Sequence, residues 1–316
     1  MTDIFDIKNI KPMLIEEVRD AFDSKDFIYE FKLDGERCIA YLDPSYKTEL
    51  RNKRNRIILP MVPELADINK QVKCRCVLDG ELIVIKDGKP DFSEIQRRSI
   101  TGNAFKIKLM AEKFPASYIA FDILYYDDHE VTNLNLIERK KLLESVVIEN
   151  NKMQVSKYIE KQGIKLFDLS KKYDLEGIVA KRKDSKYFFD IRTKDWIKIK
   201  NLLDDDFVIC GYIKNKNNVV SILLGQYLND TLTFMGHVIL GINTRDYNII
   251  SKTKVLNQCP FIEVPVGHQN AIWITLKNVC TVKFLQRTQS GALRQPVYKS
   301  LRLDKSPSDC IYIPIK

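Results

Sequence analysis

The chain has 316 residues, of which 45% are hydrophobic, and it carries 51 Lys and Arg against 42 Asp and Glu, a net charge of +9. This length predicts two domains or one large domain, and the hydrophobic fraction excludes global disorder. There is no run of roughly 18 apolar residues that could span a membrane. The N-terminus carries no secretory signal, and the seven cysteines fit free thiols, so we expect a soluble cytoplasmic protein.

Alternating apolar and polar residues, the pattern of half-buried strands, recur in short runs along the first two thirds of the chain. The clearest predicted strands cover residues 27–33, 77–85, 119–125, 176–181 and 196–200. Helical spacing of apolar residues is rarer, and it predicts helices over residues 136–149 and about 160–173. Strands with interspersed helices, without regular alternation of the two, indicate an α+β fold.

An acidic segment, residues 203–206, marks the predicted domain boundary, because the helical pattern fades after it into short strands. These predicted strands cover residues 207–213, 219–227 and 231–238. Residues 202–316 carry 13 Lys and Arg against 8 Asp and Glu, and they are more basic per residue than residues 1–201. We interpret the acidic segment as a turn that leads into a small β-barrel, and its positive charge permits a polyanionic partner such as nucleic acid.

Residues 30–37 form the first segment that could carry chemistry. In a strand, Glu30, Lys32 and Asp34 project from one face, and Gly35 then allows a tight turn or the close approach of a ligand. A lysine among convergent polar groups becomes a nucleophile when burial or a nearby cation lowers its pKa. The same residues also fit an exposed strand face beside a hairpin turn, and this short segment alone does not decide between the two interpretations.

The pattern Lys32-x-Asp34-Gly35-x-Arg37 resembles motif I of the ATP-dependent nucleotidyltransferases, the superfamily of DNA ligases, RNA ligases and mRNA-capping enzymes. Further motifs of that superfamily follow in the same order and at similar spacing: motif III at residues 78–81, IIIa at 120–122, IV at 176–181 and V at 196–200. One such match is weak, whereas five in order are specific.

Other segments are similar to DNA ligases in particular. Residues 92–98 resemble a segment that follows motif III in DNA ligases, and residues 294–296 with 301–305 resemble motif VI of the OB domain. With residues 207–212 and 222–225, the chain is most similar to the ligase domain of bacterial end-joining enzymes, the ligase D type, from about residue 10 to residue 305. The resemblance implies a nucleotidyltransferase domain of antiparallel, ATP-grasp-like sheets with helices, residues 1–201, followed by an OB-fold barrel, residues 202–316.

The resemblance also implies roles for individual residues. Lys32 would attack the α-phosphate of ATP and become lysyl-AMP, and Lys198 and Lys200 would bind a phosphate. Glu81 and Glu176 would hold Mg²⁺, with Mn²⁺ as an alternative, because isolated carboxylates in apolar strands need a cation or hydrogen-bond donors. A salt bridge to a structural Lys or Arg is the other interpretation of these two carboxylates.

The remaining nucleotide contacts follow from the same resemblance. Phe121 would stack on adenine, with Glu30 near the edge of the base, and Arg37 would contact the ribose or a phosphate. Motif Ia is ambiguous because residues 51–56 contain two Arg-Asn pairs, and we favour Arg54. The motif VI residues that would orient the pyrophosphate of ATP are Arg294, Arg302 and Lys305.

The sequence therefore predicts an ATP-dependent DNA ligase that seals 5′-phosphate/3′-hydroxyl nicks or breaks in duplex DNA through lysyl-AMP and DNA-adenylate, in DNA repair. We expect a monomer that does not bind membranes and that holds duplex DNA through its phosphates. In an end-joining role, a Ku-type end-binding protein would be its partner, but a viral or housekeeping nick-sealing role fits the same residues. The alternatives are an RNA ligase or capping guanylyltransferase on the same scaffold, and a catalytically silent OB-type nucleic-acid-binding protein.

Overall fold

Two units make up the chain, Met1–Asn201 and Leu202–Lys316, and each builds its own sheets. The structure is a computed structural model that describes residues 3–18, 20–215, 219–288 and 291–312. Among the described helices, none combines the length and the apolarity that a membrane span requires.

The first unit is rich in strands. Its strands are β1 (Leu14–Val18), β2 (Phe27–Phe31), β3 (Glu36–Leu42), β4 (Thr48–Asn52), β5 (Cys76–Lys86), β6 (Lys89–Pro90), β7 (Ala116–Tyr126), β8 (His129–Glu130), β9 (Met153–Val155), β10 (Tyr158–Glu160), β11 (Gly177–Arg182) and β12 (Arg192–Lys200). Its helices are α1 (Ile4–Ile7), α2 (Phe92–Ser99), α3 (Ala104–Lys113), α4 (Leu136–Val146) and α5 (Gly163–Lys172), with 3₁₀ segments at Leu59–Met61, Pro63–Leu65 and Ile68–Gln71.

One sheet of this unit has the strand order β1-β12-β11-β2-β10, with parallel pairing of β1 and β12 and antiparallel pairing elsewhere. Its apolar face packs against α5 in a cluster of Tyr29, Leu166, Ile178, Ala180 and Ile199. Because side chains alternate along each strand, the residues between these apolar positions point to the opposite face. That opposite face carries the motif residues described below.

The second sheet has the order β4-β3-β5-β7-β8, with β6 paired to β5 and β9 parallel to β7. Its core includes Leu78, Leu82, Ile123 and Leu143, the last contributed by α4. Leu143 therefore links helix and sheet by burial of apolar surface, worth about 2 kcal/mol for a side chain of this size.

The second unit contains one antiparallel sheet of order β15-β14-β13-β17-β18, to which a short strand is added by pairing with β13. Its elements are β13 (Leu203–Lys214), β14 (Val220–Leu228), β15 (Thr231–Val238), α6 (Thr244–Ser251), β16 (Ile272–Trp273), β17 (Val279–Phe284), β18 (Val297–Leu301) and a 3₁₀ segment Pro307–Asp309. Phe207 and Ile209 pack into one apolar cluster and Val208 and Cys210 into another, so both faces of β13 are covered. The predicted α+β class is confirmed, and this unit is consistent with the predicted OB-fold.

Three sequence interpretations need correction at the ends of elements. The strand predicted over residues 27–33 ends at Phe31, although the Lys32 amide still donates a hydrogen bond to the Gly177 carbonyl at 2.9 Å. Glu176 immediately precedes β11 and is not part of it. The helix predicted from about residue 160 begins at Gly163, because the residues before it form β10.

The acidic segment 203–206 is not a turn, as predicted, but the start of β13, paired with β17. Each of its aspartates has a cationic partner: Asp204 pairs with Lys299, Asp205 with Arg287 and Asp206 with the side chains of residues 302 and 305. These partners come from distant parts of the sequence and compensate the repulsion between neighbouring carboxylates, so the segment can extend as a strand.

Candidate active site

The face of the first sheet opposite α5 carries polar residues of motifs I, IV and V. In the pairing of β2, β11 and β12, Glu30 lies opposite Val179, which in turn lies opposite Lys198. Side chains at paired positions point the same way, so these three project from one face. The same register adds to this face Lys181, Trp196 and Lys200.

Lys32 lies at the end of this face and forms an ion pair with Glu176, with Nζ 2.5 Å from Oε2. The Lys32 side chain is 21% exposed and the Glu176 side chain only 4%. Burial raises the pKa of Glu176 above its ordinary value, although Lys32 and the Lys200 charge oppose the shift. Between them, Gly177 has φ +137°, and a Cβ there would lie 2.1 Å from the Ile199 carbonyl oxygen, so glycine is required.

Arg37 is held by the second sheet. Its Nε and Nη2 donate to the two carboxylate oxygens of Asp79 at 2.9 and 2.5 Å, and Asp79 is fully buried. The Tyr187 hydroxyl donates to the same carboxylate at 2.7 Å. A bidentate pair of this kind fixes the plane of the guanidinium, which lies 5.1 Å from the ring centroid of Phe121. Arg37 is thereby oriented before any ligand arrives.

Glu81 lies opposite Arg37 in the pairing of β3 and β5. Burial raises the pKa of Glu81 to about 8, and the nearby Glu176 carboxylate adds to the shift. The cations Lys32 and Arg37 oppose this shift without reversing it. Two carboxyl groups whose ionised forms are disfavoured create the electrostatic setting that a bound divalent cation relieves.

A buried polar cluster surrounds Glu30, which is 2% exposed. Its oxygens lie 2.5 Å from Lys140 Nζ and 3.0 Å from Lys181 Nζ, and the Ser156 hydroxyl donates to it at 2.8 Å. Burial opposes ionisation of Glu30, but the two ammonium groups outweigh it and hold its pKa below the ordinary value. Glu30 is therefore an ionised carboxylate fixed between two lysines.

An aromatic slot adjoins this cluster. Phe121 and Trp196 meet edge to face, with ring centroids 6.0 Å apart, and Lys181 Nζ lies 4.4 and 4.2 Å from the two centroids. The cavity at this point is lined by Ile15, Glu30, Phe31, Lys32, Leu33, Arg37, Glu81, Phe121, Ser156, Val179, Lys181 and Trp196. An aromatic surface next to fixed charges suits a flat base joined to a phosphate chain.

A second, wider cavity of about 310 Å³ shares Arg37 and Glu81 with the first. At roughly 30 Å³ per water molecule, it has the volume of about ten waters and can admit phosphate groups. Its other lining residues are Gly35, Glu36, Asn52, Lys53, Arg54, Phe92, Gln96 and Ser99. Arg54 thus lines the cavity, whereas Arg51 is engaged by Glu49 at 2.6 Å, which fits our preference for Arg54 as the motif Ia residue.

The three motif VI residues belong to the second unit. Arg302 and Lys305 both contact the carboxylate of Asp206. Arg294 lies between β17 and β18, where its amide donates to the Gln286 carbonyl at 2.9 Å. Motif VI is therefore a defined structure within its own unit.

Two segments match DNA ligase families. Residues 10–200 match the ATP dependent DNA ligase domain, and residues 215–305 match the ATP dependent DNA ligase C terminal region. The chain belongs to the ATP-dependent DNA ligases. The predictions of family and of ATP-dependent ligase function are confirmed, and the RNA-ligase and capping-enzyme alternatives are not retained.

Individual relatives agree with this assignment. The SPbeta prophage-derived DNA ligase-like protein LigB of Bacillus subtilis is 29% identical over 296 residues, which cover 93% of this chain and 99% of that protein. The multifunctional non-homologous end joining DNA repair protein LigD of Mycobacterium tuberculosis is 28% identical, and the match covers 98% of this chain but 40% of LigD. The solved structure of mycobacterial DNA ligase D complexed with ATP and MES has a TM-score of 0.56 at 27% identity, covering 96% of this chain and 98% of that chain.

Sequence reasoning about this ligase missed Lys140, Asp79 and Tyr187. Lys140 follows Leu136 by four residues and precedes Leu143 by three, so it lies on the buried face of α4. A lysine on an apolar helical face signals a buried carboxylate partner, and that signal could have been used. No comparable local signal marks Tyr187, because its contact with Asp79 joins residues far apart in the chain.

The buried Lys181 should make the stability of the ligase depend on pH. Burial lowers the pKa of Lys181 from 10.5 to about 8, so between pH 8 and 10.5 the unfolded chain binds more protons at this residue than the folded chain. Stability contributed by this residue therefore increases with pH in that window, by up to about 1.4 kcal/mol per unit. Urea unfolding at pH 7–10 should show this increase for the wild type relative to Lys181→Met.

The matched control is Lys172→Met, which removes an exposed lysine on α5 and should run parallel to the wild type. If Lys181→Met also ran parallel, Lys181 would titrate normally in the folded state.

Proposed function

We propose that this chain uses ATP to adenylate Lys32 and then seals nicks that carry a 5′-phosphate and a 3′-hydroxyl in duplex DNA. The observation that carries this proposal is the position of the Lys32 ammonium. It pairs with Glu176 at 2.5 Å and lines the same cavity as Arg37, Glu81 and Phe121. A nucleophile, two carboxylates, a fixed guanidinium and an aromatic ring in one cleft suit attack on a nucleotide phosphate.

In the first step, the lone pair of Lys32 Nζ attacks the α-phosphorus of ATP. A P–N bond forms, the P–O bond to the β-phosphate breaks, and pyrophosphate leaves with the electron pair. Attack requires a neutral amine, and Glu176, at 2.5 Å and with a raised pKa, is placed to accept the ammonium proton. This proton transfer is the chain's own contribution to making Lys32 a nucleophile.

In the second step, an oxygen of the DNA 5′-phosphate bonds to the AMP phosphorus and the P–N bond breaks, which returns Lys32 as the amine. In the third step, the 3′-hydroxyl loses its proton, bonds to the 5′-phosphorus and expels AMP. Lys198, Lys200 and Arg54 are the cations of the first unit that would hold phosphates during these steps. The second unit would add Arg294, Arg302 and Lys305 at the pyrophosphate.

The nucleoside would occupy the aromatic slot. Phe121 would stack on the adenine, and Glu30 with its two lysines would face the edge of the base. Arg37 would contact the ribose or the α-phosphate, because it borders both cavities.

The carboxylates of Glu81 and Glu176 would hold Mg²⁺, or Mn²⁺, together with the phosphates of the bound nucleotide. Within the described ranges, no group of three or more His, Cys, Asp or Glu side chains is arranged to hold a metal ion. One or two carboxylates plus substrate phosphates is the usual way proteins bind Mg²⁺, so the residues fit this cation. When bound, the cation would neutralise charge that develops on the phosphates.

The test is labelling with α-³²P-ATP or α-³²P-GTP, followed by addition of nicked DNA or nicked RNA. We expect an acid-labile, alkali-stable label from ATP alone and its discharge by nicked DNA. Label from GTP alone, or discharge by RNA alone, would contradict the proposal. Absence of any label, despite Mg²⁺ and Mn²⁺, would leave only the alternative of a silent DNA-binding protein.

We further propose a role in the repair of DNA breaks, as a cytoplasmic monomer that works with a Ku-type end-binding protein. The support is the 28% identity to LigD over nearly the whole chain, but the chain spans only about 40% of those relatives. Sealing of nicks should be compared with joining of double-strand ends, with and without a Ku homologue. Stimulation of end joining alone would support this role, and equal rates would favour simple nick repair.

A further inference from the structure

The carboxylate of Asp206 is the meeting point of two motif VI cations. Asp206 is 7% exposed, and its Oδ1 accepts a hydrogen bond from the Thr281 hydroxyl at 2.5 Å. Its Oδ2 contacts Arg302 Nη1 at 3.2 Å and also Lys305 Nζ. Burial opposes ionisation of Asp206, but Lys305 and Thr281 outweigh it and hold its pKa below the ordinary value. The carboxylate is therefore charged and fully engaged.

Strand pairing explains why Asp206 lies there. It is opposite Thr281 in the pairing of β13 and β17, and the Arg302 amide donates to the Val279 carbonyl at 2.8 Å on the same strand β17. The segment that follows β18 thus begins beside β17 and passes over the position of Asp206. Asp206 can reach it because alternate residues of β13 point to the same side.

Arg302 is constrained from two directions. Its Nε and Nη2 donate to Asp304 at 2.8 and 2.7 Å, and its Nη1 is directed to Asp206. Lys305 has three N–H donors, and its side chain is 36% exposed, so donors remain for a ligand beyond the contact with Asp206. Without Asp206, the two positive charges would repel each other and their long side chains would gain rotamer freedom.

We propose that Asp206 is a positioning residue that holds Arg302 and Lys305 ready for the β- and γ-phosphates of ATP during adenylation of Lys32. This inference rests on the proposed function, and Asp206 itself makes or breaks no bond in that step. Pyrophosphate is present only in the first of the three steps. A defect in Asp206 therefore slows adenylation of Lys32 and leaves sealing of an already adenylated nick intact.

The test compares Asp206→Asn with Asp206→Glu and with Asp204→Asn. Asp204 lies on the same side of β13 but pairs with Lys299, with both side chains nearly half exposed, so its variant is the matched control. We expect Asp206→Asn to lower the adenylation rate about tenfold to a hundredfold and to raise KM for ATP. Sealing of pre-adenylated nicked DNA should stay within about threefold of the wild type, and Asp206→Glu should recover much of the adenylation rate.

Each other outcome overturns the inference. An equal loss of both activities in Asp206→Asn, with a lowered unfolding temperature, would assign Asp206 a purely structural role. Unchanged adenylation would show that the cations need no support, and equal loss in Asp206→Glu would exclude its charge as the cause. A wild-type chain that forms no lysyl-AMP would overturn the proposed function as well, which separates the two failures.

Discussion

Lys32→Ala should abolish transfer of AMP to the protein, with a loss of about 10³-fold or more in the rate of adenylation. Lys32 Nζ is the amine within ion-pair distance of Glu176 at the cavity that receives ATP, and no hydroxyl or thiol is proposed to replace it. Lys32→Arg should fail equally, because a guanidinium keeps the positive charge but does not deprotonate. The measurement is the acid-labile label from α-³²P-ATP after denaturing electrophoresis.

The control for Lys32→Ala is Lys165→Ala, which removes an exposed lysine on α5 and should label normally. Pre-adenylated nicked DNA should still be sealed by Lys32→Ala, since the last step does not use the amine. Normal labelling of Lys32→Ala through a P–N bond would place the nucleophile elsewhere.

Arg139→Met should destabilise the first unit by about 3–5 kcal/mol, because it leaves a buried carboxylate without its cation. Arg139 and Asp122 are both fully buried and joined by hydrogen bonds of 2.8 and 2.9 Å. Arg139 also donates to the Leu134 and Ser185 carbonyls. For a unit of about 200 residues, this loss corresponds to a fall in unfolding temperature of roughly 6–20 °C.

The double variant Asp122→Leu/Arg139→Met should recover at least about 1.5 kcal/mol of this loss, because no charge is then left buried alone. Urea unfolding followed by tryptophan fluorescence is suitable, since the chain has two tryptophans, Trp196 and Trp273, one in each unit. In a Trp273→Phe background, Trp196 reports the first unit. A double variant as unstable as Arg139→Met would show that the lost carbonyl contacts, and not the unpaired charge, dominate.

The Asp122–Arg139 pair also has a functional side. Asp122 follows Phe121 directly, and Arg139 anchors it to α4. The orientation of the proposed adenine-stacking ring thus depends on a buried pair in the core. We therefore expect variants of this pair to raise KM for ATP before they unfold the protein.

Several elements could be predicted because their signals are local. Strand β15 has the predicted bounds, and β5 and β7 extend the predicted strands by a few residues. Alternation depends only on neighbouring residues and on the burial of one side of a strand, so it is visible without the fold. The ends of elements were harder, because β2 and β11 end where the chain bends toward the cleft at Lys32 and Glu176.

The sequence by itself determined the family, the order of the motifs and the side of each strand on which a motif residue lies, because these depend on residue type and on a spacing of two. Only the tertiary structure decided which charges meet. Glu30 is held by Lys140 from a distant helix, and Asp206 by Lys305 near the end of the chain. Such pairs depend on sheet register and helix docking, which no short stretch of sequence encodes. The acidic segment at the start of β13 was interpreted wrongly for this reason.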